Sequence, residues 1–167
     1  MDSTENISSE ATWVVSSAEL DHGVGNMIDG NIATYWQSNG EGPHVIEIHF
    51  ASRKIITCIR FYISYATDTT YSPLLISVLY GDDGSTFQEY ETFQVGEIND
   101  WYTLQTTVDG EPLKAFSLQV VISEMHHSGK NTRLRQVEII SPKESSSTSL
   151  DLFTYSDPYL NTFLSIR

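Results

Sequence analysis

Phe116-Ser117-Leu118-Gln119-Val120-Val121-Ile122 is the stretch that decides the fold of this chain. Apolar side chains occupy every second position, and this period of two is typical of a β-strand with one buried face. Segment 55–63 has the same pattern, with Ile55, Ile59, Phe61 and Ile63 on its apolar face. Four further segments rich in β-branched and aromatic residues are predicted as strands: 44–50, 75–80, 101–105 and 135–140.

Turn signals separate these segments. Residues that favour turns are concentrated at 40–43, 81–85, 96–100 and 108–112,. Because many short strands lie between such turns and no long segment has a helical period, the sequence predicts an all-β protein, an antiparallel β-sandwich or jelly roll. The residues expected to be largely buried are Trp13, Ile48, Phe61, Val78, Leu118 and Val137.

The strand pattern ends near residue 142. We expect one domain over residues 1–142 and a flexible tail over residues 143–167. Residues 142–149 are rich in serine and cannot bury enough apolar area to order themselves, so they are predicted to be a tether,. Residues 150–167 carry many large apolar side chains, which either pack back on the sandwich or bind a partner,. The free carboxylate after Ile166-Arg167 is hard to bury without a dedicated receptor.

The composition argues against several classes of partner. The chain has 9 Lys and Arg against 22 Asp and Glu, a formal charge of −13, so phosphate backbones and anionic membrane surfaces are repelled on average. Nucleic acid and membranes are therefore not expected partners. The single cysteine, Cys58, permits no internal disulfide,, and the acidic N-terminus lacks the apolar region of a signal peptide. We expect a soluble intracellular protein.

Residues suited to catalysis are few. Asp82 and Asp83 are adjacent in a turn, where carboxylates usually face water,. His126 and His127 lack further metal ligands at suitable spacing,. The sequence contains no nucleophile elbow, phosphate-binding loop or dinucleotide fingerprint. We therefore expect no enzyme activity, no metal and no cofactor.

Two polar loops are better candidates for a binding site. In residues 25–40, the large rings of Tyr35 and Trp36 lie within a run of turn-forming residues, and as buried anchors they position Gln37-Ser38-Asn39. Trp36 taken alone is explained as well by an ordinary place in the core. Residues 126–136 concentrate His, Ser, Asn and Thr with three cations. Such loops at one end of a rigid sandwich favour recognition by hydrogen bonds.

Several segments occur in the order expected of one protein family. They are Trp13-Val14-Val15-Ser16-Ser17, Gly23-Val24, residues 34–44 from Thr34-Tyr35-Trp36-Gln37-Ser38 to His44, Tyr71-Ser72-Pro73 with Ile76-Ser77-Val78, Gly129-Lys130-Asn131-Thr132 with Arg135-Gln136, and Ile166-Arg167. Over nearly its whole length the chain resembles the DOC-domain subunits of the anaphase-promoting complex. Tyr-Trp loops alone recur in discoidin-like jelly rolls, whereas the ordered set with the tail is specific.

The resemblance implies a galactose-binding-domain-like jelly roll that acts as a non-catalytic subunit of this ubiquitin ligase, in the nucleus and cytoplasm. With a propeller-type coactivator, such subunits form a receptor for the destruction-box degron of substrates and raise the processivity of ubiquitination. The matching degron-binding residues are Gln37, Ser38, Asn39, His127, Ser128, Gly129, Lys130, Asn131, Thr132 and Arg135. The terminal Ile166 and Arg167 match the dipeptide that binds a tetratricopeptide-repeat scaffold subunit,.

Six of these side chains are expected to form one surface: Ser38, Asn39, Ser128, Lys130, Asn131 and Thr132. The chain departs from the family pattern at Ser128, Asn131 and Glu19, where Asn, Asp and a basic residue are expected. The alternative from another class is a free-standing discoidin-like module that binds carbohydrate or lipid. Metal-assisted hydrolysis around His126, His127 and Asp82 is a more distant third.

Overall fold

A computed structural model describes residues 3–83 and 86–143 of the chain. This part consists mainly of β-strands joined by short turns. The strands are β1 (Thr4–Asn6), β2 (Ala11–Val15), β3 (Trp36–Gln37), β4 (His44–Ile56), β5 (Cys58–Ser64), β6 (Pro73–Gly81), β7 (Gln88–Gln94), β8 (Asn99–Gln105), β9 (Thr107–Val108), β10 (Glu111–Met125), β11 (Arg133–Leu134) and β12 (Gln136–Pro142). The helical segments are α1 (Tyr65–Asp68) and 3-10 turns at Ser8–Glu10, Val24–Met27, Thr69–Tyr71 and His126–Ser128.

The strands form two antiparallel sheets and a short ladder. One sheet has the order β1-β12-β5-β8, and the other has the order β2-β4-β10-β6-β7 with β9 paired to β10. Among the described strands, β3 and β11 form a separate two-stranded ladder with each other. The long strand β10 is central to its sheet because β4 and β6 hydrogen-bond to its two edges.

The core lies between the two sheets and confirms the predicted β-sandwich. Ile59 and Phe61 on β5 and Leu118 on β10 are fully buried, and the rings of Phe61 and Phe93, which belong to different sheets, have centroids 6.3 Å apart. Five of the six residues expected in the core are buried, namely Ile48, Phe61, Val78, Leu118 and Val137. The sixth, Trp13, is half-buried and packs against the core.

Segment 55–63 is not a single strand, so the prediction of one continuous apolar face there was wrong. β4 ends at Ile56, and β5 begins at Cys58 after the single residue Thr57. The turn reverses which positions face inward: Ile56 is fully buried, whereas Ile55 is 41% exposed. In β4 the buried apolar residues, such as Ile48 and Ile56, lie at even positions, whereas in β5 the buried residues Ile59, Phe61 and Ile63 lie at odd positions.

The described residues fall into two compact units. The larger is Glu5–Ser141, and the smaller contains the described residues Ser3, Thr4, Pro142 and Lys143. Within the smaller unit, the Lys143 amide donates to the Ser3 carbonyl oxygen at 2.9 Å. The expectations for the tether and for Ile166-Arg167 concern residues outside the described part, and the division into residues 1–142 and 143–167 stays a prediction. No helix in residues 3–83 and 86–143 is long and apolar enough to cross a membrane.

Candidate functional site

The ladder of β3 with β11 joins the two predicted loops. Trp36 lies opposite Leu134, and Gln37 lies opposite Arg133. Trp36 and Leu134 are fully buried, and the Trp36 indole N–H donates to the Ser17 carbonyl oxygen at 2.9 Å. The ring therefore anchors the loop in the core and still satisfies its polar group, as the sequence indicated.

A compact hydrogen-bond network continues the ladder past its last pair. The Ser38 amide donates to the Thr132 carbonyl oxygen at 3.0 Å, and the Thr132 amide donates to Ser38 Oγ at 2.9 Å. The Ser38 hydroxyl in turn donates to Asn131 Oδ1 at 2.9 Å, which also accepts the Gly40 amide at 3.1 Å. Three predicted site residues from two distant segments are thus in direct contact.

Not every predicted residue is available to a ligand. Ser38 and Thr132 are fully buried and Arg135 is 8% exposed, so the expectation that Ser38 and Thr132 contribute to an outer surface was wrong. Their polar groups are used internally because a buried donor or acceptor without a partner is costly. The exposed members are Asn39, His127, Ser128 and Lys130, while Gln37, Gly129 and Asn131 are half-buried.

The segment around His127 has an unusual backbone. His127 and Ser128 have φ values of 56° and 57°, in the left-handed region that most residues avoid. Tyr65 on α1 supports the turn: its hydroxyl lies 2.5 Å from His127 Nε2, and its ring meets His126 edge-on at 5.0 Å. Gly129 follows so close to Thr70 that a Cβ would lie 1.8 Å from the Thr70 carbonyl oxygen.

The adjacent histidines both belong to the 3-10 turn His126–Ser128. Their ring centroids are 6.4 Å apart. Among the described residues, no group of three or more His, Cys, Asp or Glu side chains is arranged to hold a metal ion.

Two buried residues that sequence reasoning missed also hold the site. His44 is fully buried, and its Nε2 donates to the Lys130 carbonyl oxygen at 2.7 Å. Gln136 donates through Nε2 to Asp29 Oδ1 at 2.7 Å and accepts the Gly30 amide at 2.9 Å. The sequence signal for His44 was its position at the end of the Tyr-Trp loop, and the signal for Gln136 was its position at the end of the second loop. Neither position reveals the hydrogen-bond partner of the side chain.

Asp68 is the charged centre beneath the loops. Its carboxylate accepts Arg135 Nε at 3.0 Å and Nη2 at 2.8 Å, a two-pronged pairing that suits guanidinium and carboxylate. These hydrogen bonds raise the pKa of Arg135 above its usual value. Arg135 Nη1 also donates to the Ile32 carbonyl oxygen at 3.1 Å, so this buried ion pair fixes the first loop to the second.

One hydrogen-bonded chain outside the site resembles part of a hydrolytic triad. His49 Nδ1 lies 2.9 Å from Ser117 Oγ, and His49 Nε2 lies 3.1 Å from Glu47 Oε1. Ser117 is only 2% exposed, which leaves its hydroxyl little access to a substrate. We interpret these hydrogen bonds between Glu47, His49 and Ser117 as a link between β4 and β10.

The two sheets and the paired loops define the class of this protein by its fold: a β-sandwich jelly roll like that of galactose-binding domains. It is similar to the family 32 carbohydrate-binding module of Clostridium perfringens NanJ in complex with galactose, with a TM-score of 0.67 at 15% identity, over 83% of this chain and 99% of that one. A module from a family 31 glycoside hydrolase of Clostridium perfringens has a TM-score of 0.68 at 12% identity, over 80% of this chain and 96% of that one. At these identities the likeness shows the fold alone.

The chain belongs to the family of anaphase-promoting complex subunit 10, whose family model, "Anaphase-promoting complex, subunit 10 (APC10)", matches residues 1–163. The human subunit 10 is 32% identical over 157 residues, covering 89% of this chain and 85% of that protein. The Schizosaccharomyces pombe subunit 10 is 32% identical over 157 residues, covering 90% and 82%. Subunit DOC1 of Saccharomyces cerevisiae is 31% identical over 140 residues, covering 82% and 56%. The resemblance seen in the sequence is confirmed.

Proposed function

We propose that this chain is a non-catalytic subunit of an anaphase-promoting complex. It helps to recruit substrates by contributing, with a propeller-type coactivator, to a receptor for the destruction box, and it raises the processivity of ubiquitination. The observation that carries the proposal is the pairing of the two family-matched loops through Ser38, Asn131 and Thr132. Membership of the subunit 10 family supports the anaphase-promoting complex as the assembly.

The geometry suits recognition of an extended peptide. Asn39, Ser128 and Lys130 are exposed and offer amide, hydroxyl and ammonium groups, while Ser38 and Thr132, which join the two loops, are buried. A surface whose supports are already fixed loses little conformational entropy when it binds. Hydrogen bonds across such a surface contribute modestly one by one, so a second half-site on a coactivator is needed for firm binding.

The remaining parts of the proposal concern assembly and location. Ile166 and Arg167, outside the described residues, bind a tetratricopeptide-repeat scaffold subunit, and the protein acts in the nucleus and cytoplasm without a cofactor. The strongly acidic composition supports partners other than nucleic acid and membranes,. The carbohydrate- or lipid-binding alternative is not favoured, because the carbohydrate-binding neighbours share only the fold.

The exposed loop residues supply the main test. We expect the combined variant Asn39→Ala, Ser128→Ala and Lys130→Ala to assemble normally but to reduce processivity by at least severalfold. Each lost hydrogen bond costs about 0.5 to 1.5 kcal/mol, so three together give a measurable loss. The measurement is the number of ubiquitins added per binding event in a reconstituted ligase.

A matched triple variant controls for the loss of surface polarity. Gln94, Ser52 and Lys114 are exposed on other strands, and replacing these three by Ala is expected to leave processivity unchanged. Equal activity of the loop variant and the wild type contradicts the proposal. So does tight binding of a destruction-box peptide to the free chain without the coactivator.

The terminal dipeptide gives a separate prediction. Deleting Ile166 and Arg167 is expected to leave the thermal unfolding of the chain unchanged and to weaken its capture by the ligase, because the motif follows a serine-rich segment,. Circular dichroism and co-purification measure the two effects on the same preparation. A lower melting temperature, or undiminished capture, counts against a role in docking.

A further inference from the structure

The charges around Asp68 do not balance. Its carboxylate is matched by the two-pronged contact with Arg135, and these side chains are 2% and 9% exposed. A second guanidinium, that of Arg133, also reaches Asp68, with Nη1 3.3 Å from Oδ1. One carboxylate neutralises one guanidinium, so the cluster keeps one positive charge, and Arg133 carries it at the more exposed position.

The Arg133 guanidinium is held in place by several neighbours. Its Cζ lies over the ring of Tyr71 at 4.0 Å and over the ring of Tyr35 at 4.4 Å. Its Nε donates to Gln37 Oε1 at 2.8 Å. Tyr35 is itself fixed by parallel stacking with His22 at 4.3 Å. Because a clamped side chain has little freedom left to lose, Arg133 is prepared to bind without further ordering.

One edge of the Arg133 guanidinium is available for hydrogen bonds to a ligand. Within residues 3–83 and 86–143, Nε and Nη1 of Arg133 have acceptors and Nη2 has none. The side chain is 20% exposed, and it lies beside Gln37, at the start of the loop that presents Asn39. A guanidinium edge with free N–H groups and an uncompensated charge matches a carboxylate.

We propose that Arg133 is a specificity-determining residue that binds the carboxylate of an Asp or Glu side chain in the substrate peptide. The proposal rests on the function proposed above and names a feature of the substrate that the same surface selects. A carboxylate is favoured over a phosphate because one residual positive charge matches one negative charge, whereas the chain as a whole, at −13, repels a dianion more strongly,.

The test pairs a variant of this chain with variants of the substrate in a reconstituted ligase that contains the full chain. Each Asp and Glu in and beside the destruction box is replaced singly by Asn or Gln. We expect one replacement to lower ubiquitination about tenfold, the effect of losing a charge-assisted hydrogen bond. Arg133→Gln is expected to cause the same loss on the acidic substrate and no further loss on the neutralised one.

Two further variants make the interpretation specific. Lys114→Gln removes a positive charge from an exposed position on β10 and is expected to behave as the wild type on both substrates. Arg133→Glu combined with Lys at the selected substrate position is expected to recover activity that either change alone removes. Melting temperatures identify a variant that fails to fold, in which case Arg133→Lys, which keeps the charge, is expected to retain selectivity for the acidic substrate.

Several outcomes would overturn the inference. The first is an Arg133→Gln variant that is fully active, and the second is an Arg133→Gln variant that loses activity equally on acidic and neutralised substrates. The third is an effect of Arg133→Gln that depends on substrate phosphorylation or on the free C-terminal carboxylate of the peptide. Omitting the chain from the reconstituted ligase distinguishes a failure of the Arg133 proposal from a failure of the proposed function. If omission leaves processivity unchanged, the proposed function itself is wrong.

Discussion

Asp68→Asn is expected to lower the free energy of unfolding by about 3 to 5 kcal/mol, because it leaves the buried Arg135 guanidinium without its counter-charge. Asp68 and Arg135 are both buried, so water does not replace the lost carboxylate. Arg135 also holds the carbonyl groups of Ile32 and Ala33, and its displacement loosens the first loop. Urea denaturation of the wild type and the variant measures the effect.

The matched control is an aspartate in an exposed ion pair. Asp82 and Arg53 lie 3.4 Å apart with side chains 62% and 53% exposed, and pairs of this kind contribute about 0 to 1 kcal/mol. Asp82→Asn is therefore expected to change stability little. Similar losses for the two variants show that burial does not govern the contribution of Asp68.

Gly129→Ala is expected to destabilise the chain by about 1 to 3 kcal/mol, the usual cost of forcing an extra group into a packed site. The new Cβ meets the Thr70 carbonyl oxygen at 1.8 Å and its carbon at 2.8 Å. Both are backbone atoms, so the turn or the 3-10 segment Thr69–Tyr71 has to move. Because His127, Ser128 and Lys130 adjoin Gly129, processivity is expected to fall more than the stability loss alone explains.

Gly96→Ala serves as the comparison, since nothing lies within 4 Å of a Cβ at Gly96 and its φ is not in the left-handed region. Its expected effect on stability is within about 0.5 kcal/mol of zero. Thermal denaturation and processivity assays on both variants test the prediction. An unperturbed Gly129→Ala variant means that Thr70 can move away freely.

The sequence predicted the strands and most of the core because burial on one face leaves a period of two. Residues 116–122 show this directly, since Leu118, Val120 and Ile122 are all buried in β10. The same pattern failed at Ile55. Ile55 lies two residues before the single turn residue Thr57, and on that side of the turn the even-numbered positions face the core, so Ile55 faces outward. Periodicity shows that a face is apolar, but the turn decides where the face points.

The candidate site was predictable only in part. The resemblance selected two loops, and the structure brings Ser38 of the first loop into contact with Asn131 of the second. Ser38 and Thr132 were expected at the surface because the resemblance matched them to residues that bind the degron. Their burial depends on partners 94 residues away. Asp68 gave no local signal, and the position of His44 did not reveal its partner, since each of the two acts through a residue from a distant segment.

The same separation has a consequence during synthesis. Ser38 leaves the ribosome 93 residues before Asn131, an interval on the order of 5 to 20 s at ordinary rates of translation. Throughout that time the first loop has neither its ladder partner nor the acceptor of its hydroxyl. An incomplete chain therefore has no assembled loop surface, and only a nearly complete domain presents the two loops as one pair.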